Sequence, residues 1–183
     1  MIARRACCSL LLVWAVYAPP LAAQIEGGIH GTVNSGLVSG EATLGLGGRF
    51  GGYLFATGGV KWKADAVVDY FFANCPLDDV RCWAWHAQLN IVGTRKLGQP
   101  VLGYAGLGAA YQRERLVSSG GGSVDATGDH GGVNVLVGAQ FPVVGAARPF
   151  FEARYSVFDG WENQLVVSLG ILFSSAKMIE EEF

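Results

Sequence analysis

Four stretches of the chain alternate apolar and less apolar residues with a period of two. Trp83, Trp85, Ala87, Leu89 and Ile91 fall on one face of the first, and His86, Gln88, Asn90 and Thr94 on the other. Val133, Val135, Val137, Ala139 and Phe141 alternate with Asn134, Gly138 and Gln140. Leu165, Val167, Leu169, Ile171 and Phe173 alternate with Gln164, Ser168 and Gly170, and Trp62, Ala64, Ala66, Val68 and Tyr70 with Lys61, Lys63, Asp65 and Asp69. Successive side chains of a strand point to opposite sides of a sheet, so this period marks strands that divide two environments. Counting the weaker runs as well predicts eight strands, near 28–34, 40–51, 60–71, 83–94, 101–112, 131–141, 149–156 and 164–173.

The connections alternate too. Those after the second, fourth and sixth strands are short or turn-like: Ala56 to Gly59, Arg95 to Pro100 and Pro142 to Arg148. Two of the others are long, Phe72 to Cys82 and Arg113 to His130, the latter around a Gly- and Ser-rich centre. Short turns at one end and long loops at the other are the pattern of an up-and-down membrane barrel, with both chain ends on the periplasmic side.

Alternation alone fits a soluble barrel with an apolar interior equally well, and charge separates the two. The fourth, fifth, sixth and eighth predicted strands contain no Asp, Glu, Lys or Arg. A water-facing strand surface is ordinarily rich in them. The charges on the remaining polar faces are Glu41, Arg49, Lys61, Lys63, Asp65, Asp69, Glu152 and Arg154, four cations and four anions. Buried charges must be paired, and this set is balanced as a lumen network requires. Eight strands leave an interior that side chains just fill. The expected fold is therefore all-β, an eight-stranded antiparallel up-and-down transmembrane β-barrel with its lumen plugged by paired charges. Tyr70, Trp83, Trp85, Tyr111, Tyr155, Phe158 and Trp161 are expected near the outer rim, and Phe50, Trp62, Phe141 and Phe173 near the periplasmic one, as aromatic girdles.

Composition supports this reading. The chain of 183 residues is 51% hydrophobic and only 15% charged, with 27 glycines, whereas soluble domains carry about 25% charged residues. Beyond the N-terminus no apolar run is long enough for a spanning helix, and a spanning structure without helices must be a closed barrel. Residues 1–23 read as a secretory signal: Arg4 and Arg5, an apolar run from Leu10 to Ala18, a Pro pair and small residues at Ala22 and Ala23. The expected layout is signal peptide 1–23, barrel 24–173 and a short periplasmic tail 174–183. Removing the signal leaves 11 Lys+Arg against 15 Asp+Glu, a net charge of −4, which argues against nucleic-acid binding.

Leu102 to Tyr111, Arg148 to Tyr155 and the final run Gln164 to Phe173 resemble the small outer-membrane β-barrel domain family of porin-like proteins. The resemblance covers nearly all of the mature chain and implies residence in the cell outer membrane. It implies contact with outer-membrane lipid and lipopolysaccharide, insertion by the barrel-assembly machinery, a monomer, and loops open to an extracellular ligand. Members end on the aromatic residue of the last strand, the place of Phe173 here. The tail Ser174 to Phe183, with Glu180, Glu181 and Glu182, departs from that pattern.

Little in the chain points to chemistry. Cys75 and Cys82 flank six residues of the second long loop, and in an oxidising compartment such a pair reads as a disulfide. Two Cys without a neighbouring His are too few for a metal site. The three His residues are His30 and His86 on polar strand faces and His130 after Asp129, and none has a Ser at a spacing that suggests a nucleophile and its base. No cofactor is expected. A structural or surface-interaction role comes first, a narrow channel or lateral-transport barrel for small hydrophobic solutes second, and a lipid-modifying enzyme third.

Overall fold

A computed structural model describes residues 25–37, 41–72, 80–98, 100–118, 125–141, 147–160 and 162–174. Residues 1–24, where a signal is expected, and the residues beyond Ser174 lie outside them. Eight strands follow in chain order: β1 (Ile25–Leu37), β2 (Glu41–Thr57), β3 (Val60–Phe71), β4 (Val80–Gly98), β5 (Val101–Ser118), β6 (Asp125–Gln140), β7 (Ala147–Phe158) and β8 (Gln164–Ser174). Each pairs antiparallel with the next, and β1 pairs with β8, so the sheet closes on itself. Closure matters because an open sheet edge in lipid would leave its N–H and C=O groups unsatisfied.

All eight predicted strands are present, but most run further than periodicity suggested. The alternation that locates a strand is a contrast between two faces. Where a strand passes beyond the membrane into water on both sides, the contrast fades while the ladder continues. The run Arg113 to His130 is therefore mostly sheet, with β5 reaching Ser118 and β6 beginning at Asp125. The charge-free character of the predicted strands is likewise confined to their central parts, since Arg95, Lys96, Arg113, Glu114, Arg115, Asp125 and Asp129 stand near the strand ends.

The β2–β3 connection is a two-residue turn at Gly58 and Gly59, with φ of 60° and 76°. Positive φ at both central residues is what a hairpin turn matching the strand twist demands, and glycine adopts it without steric cost. This turn, with the β4–β5 and β6–β7 connections and both ends of the described chain, forms one rim, called here the short-turn rim. The opposite rim is uneven. Phe71 pairs with Ala84, and Gly132 with Phe158, so β4 from Val80, β5 to Ser118 and β6 from Asp125 extend past their outer neighbours. The three form a blade that stands above the barrel.

The wall between the rims is inverted relative to a soluble protein. Ile29, Leu44, Leu46, Leu89, Leu107, Val133, Val135, Val137 and Leu169 point outward and are exposed, while the inner face of the barrel buries Lys63, Asp65 and Asp69 of β3 and Glu152 and Arg154 of β7. Apolar residues scattered over a soluble surface are ordinary, but a continuous apolar wall around a charged interior is stable only against hydrocarbon.

Candidate functional site

Two regions can carry function, the lumen and the blade. In the lumen a chain of ion pairs crosses the short-turn half. Arg49 bonds Asp65 and reaches Glu152 at 3.0 Å. Arg154 lies 3.5 Å from Glu152, 3.0 Å from Asp69 and 3.4 Å from the Ser168 hydroxyl. His30 Nε2 lies 2.6 Å from Asp69, and Lys63 pairs with Glu26. The guanidinium of Arg49 sits 4.9 Å from the Phe150 ring. Each strand contributes by parity alone: β3 turns its odd positions inward, and β7 its even ones.

Glycines on the inward faces make this crowding possible. A Cβ at Gly47 would collide with the Asp69 carboxylate and the His30 ring, and one at Gly138 with the Tyr104 phenol. Gly31, on the outward face, has open space where its Cβ would stand. Glycine is thus imposed by the neighbours at the first two positions and not at the third.

Towards the uneven rim the lumen becomes neutral. Asn34 donates to Gln164 at 2.9 Å, Gln164 to Gln112 at 2.7 Å, and Gln112 to Glu114; Asn134 donates to Gln88 at 2.6 Å. Phe71, Ala84 and Val166 form a buried apolar cluster at this end, with His86 4.7 Å from Phe71 and 5.7 Å from Phe158. Val92, Tyr104 and Leu136 form a second cluster lower down. Burial holds the Glu114 carboxyl, at the base of the blade, above the usual carboxylate range, partly offset by its bond from Gln112.

Of the charges predicted for the lumen, Arg49, Lys63, Asp65, Asp69, Glu152 and Arg154 come together there. Lys61 does not join them; it is half-buried at the short-turn rim opposite Thr94, because the strand has nearly left the barrel by that point. Glu41 opens β2, and its side chain lies outside the described set. Phe158, expected on the outer aromatic rim, is buried inside, in phase with Glu152 and Arg154. Glu26 and Arg148 are buried in the lumen and were missed. Both are in phase with recognised inward residues, Glu26 with His30 and Arg148 with Glu152, and each lies just outside a predicted strand boundary. Cys82 stands half-buried near the start of β4, while Cys75 falls outside the described residues. No group of three or more metal-type ligands occurs among the described residues.

The blade carries exposed polar chemistry. Tyr111 donates to Asp129 at 2.6 Å, and Arg113 lies 2.9 Å from the same carboxylate. Below it, on the outer wall, Tyr70 packs on Phe72 and Trp83, and Trp85 on Tyr111. On the β7 side of β6 the ladder stops at Gly132, and the last bond there runs from the Asp159 N–H to the Gly131 carbonyl, 3.0 Å. Among the described residues, no strand pairs with residues 125–130 on that side.

No family model and no curated protein matches the chain. Solved structures do. The attachment invasion locus protein Ail of Yersinia pestis aligns with TM-score 0.59 at 12% identity, over 84% of this chain and 97% of that one. Neisserial surface protein A aligns with TM-score 0.56 at 15% identity, over 83% and 95%. The N-terminal barrel domain of Pseudomonas aeruginosa OprF aligns with TM-score 0.55 at 13% identity, over 84% and 99%. At such identities the likeness concerns the fold, and that fold is the small, eight-stranded outer-membrane β-barrel.

Proposed function

We propose that the chain is an exported, monomeric outer-membrane barrel whose filled lumen serves as a rigid anchor for a surface-interaction blade. The signal at residues 1–23 would direct export, with cleavage near Ala23. The short-turn rim would face the periplasm, and a Cys75–Cys82 disulfide would brace the connection entering the blade. The observation that carries this reading is the open edge of β6. Its position 131 accepts a bond on the β7 side, so by the alternation of an antiparallel ladder residues 125, 127 and 129 turn their N–H and C=O groups to that side. A row of unpaired backbone groups is a template for an extended segment of another protein. The ion-paired lumen supports an anchoring rather than a conducting role, because paired charges in a narrow barrel leave little free cross-section.

The test compares cells carrying the chain, cells carrying Thr127→Pro, and cells lacking it. Proline at 127 removes one N–H from the open edge while leaving the N–H groups directed at β5 in place. Binding of the cells to immobilised surface proteins and extended peptides should fall in both altered strains, with lipid A composition and permeability unchanged. Altered uptake of small hydrophobic solutes would favour a channel instead, and altered lipid A a lipid-modifying enzyme.

A further inference from the structure

The short-turn rim has a charge and aromatic arrangement that neither the anchor nor the blade explains. On the outer wall of the β3–β4 pair, Trp62 lies opposite Gly93, and a Cβ at Gly93 would meet the indole at 3.3 Å and Val60 at 3.1 Å. The indole therefore lies across the bare backbone of Gly93. Phe55 stacks on it with ring centroids 6.3 Å apart and is itself exposed. One outward step further down β4 comes Arg95, exposed and opposite Gly103. Lys96 follows, exposed, and Leu97 folds over Gly103 while remaining 72% exposed. Lys61, opposite Thr94, brings a third cation to the same rim.

The anions are distributed differently. Among the described residues, the exposed carboxylates Asp129, Asp159 and Glu162 all stand at the uneven rim. The carboxylate nearest the short-turn rim, Glu26, is buried and engaged by Lys63. Arg113 and Arg115 stand at the uneven rim together with the exposed carboxylates, whereas at the short-turn rim the cations lie next to a stacked aromatic pair of the kind that settles at a membrane interface.

We infer that this rim binds the phosphate headgroup of an anionic phospholipid in the periplasmic leaflet. Arg95 supplies the planar fork that matches a phosphate, and Lys96 and Lys61 add positive potential around it. Phe55, Trp62 and Leu97 flank the upper acyl chains. The inference rests on the membrane-barrel reading and on the short-turn rim facing the periplasm.

The test uses the full chain inserted in phosphatidylcholine vesicles with a minor fraction of phosphatidylglycerol. Bromine is carried on the acyl chains of one lipid or the other at equal mole fraction. The Trp62 contribution to fluorescence is isolated by difference against Trp62→Phe. Brominated phosphatidylglycerol should quench Trp62 several-fold more than brominated phosphatidylcholine. The preference should vanish in Arg95→Gln/Lys96→Gln and persist in Arg113→Gln, which removes a cation of the opposite rim. Equal quenching by the two lipids would overturn the inference, as would a preference that survives in the double variant. Displacement by inorganic phosphate would also overturn it, by showing a site for the free ion. If no tryptophan is quenched by either lipid, the chain has not inserted, and the barrel reading itself fails.

Discussion

Within β5, residues 101–111 and residues 112–118 belong to the same ladder yet obey different rules. The lower part shows the membrane Leu107 and Ala109 on one side and turns Leu102, Tyr104, Gly106, Gly108 and Ala110 inward on the other; the upper part reads Gln112, Arg113, Glu114, Arg115. Both hold the same backbone hydrogen bonds to β4 and β6. The wall answers to hydrocarbon outside and to a crowded, charged interior. The blade answers to water, and a side chain there is constrained mainly by its cross-strand neighbours.

The sharpest way to break this contrast is to remove a charge from the interior. Arg154→Ala leaves Asp69 and Glu152 without their shared cation. A loss of about 3–5 kcal/mol is expected, as for stranded charges elsewhere. The urea midpoint of the barrel folded into lipid vesicles measures it, and a midpoint unchanged from the parent would mean that the lumen is open to water. Next in size is a charge placed on the wall. Val135 is exposed on β6 between Leu107 and Tyr155, so Val135→Arg meets hydrocarbon and should cost roughly 2–4 kcal/mol. Thr127→Arg, on the same strand within the blade, should stay within about 0.5 kcal/mol of the parent by the same assay. Equal losses would place the blade in the membrane too. The smallest effect separates the two faces of the wall. Gly47→Ala forces its methyl group into the His30–Asp69 pair and should cost about 1–3 kcal/mol. Gly31→Ala, with open space in front of it, should be nearly neutral. Thermal or urea unfolding of the two variants side by side checks this, and a harmless Gly47→Ala would show that the pair has room to move.

The wall was the legible part of the molecule. Parity along β3, β6 and β8 assigned Asp69, Val135 and Ser168 to their faces from sequence alone, because lipid and lumen select opposite residue types. The blade looks like loop in the sequence for the same reason in reverse. Arg113 and the buried Glu114 are both charged, so no contrast of residue type marks their two faces, and beyond them Arg115 meets water. Partners across the lumen are beyond the reach of periodicity, since Arg154 meets Asp69 of β3 only once the register of the closed sheet is fixed. Glu26 shows the cost of a boundary error. Two residues outside the expected first strand, it turns out to neutralise Lys63.

The β1–β8 seam has a consequence in time. Its partners run from Glu26 with Ser174 to Ser35 with Leu165, so the chain's first strand waits for its last. Until residues 165–174 arrive, two edges stand open and Arg154, Asp69 and Glu26 lack a sealed interior. The entropy of closing so long a loop grows only slowly with its length, but contacts this distant in sequence form late and slow the search. Assembly is therefore gated by delivery of the C-terminal strand. Every earlier stage must be sheltered from both aggregation and premature contact with lipid.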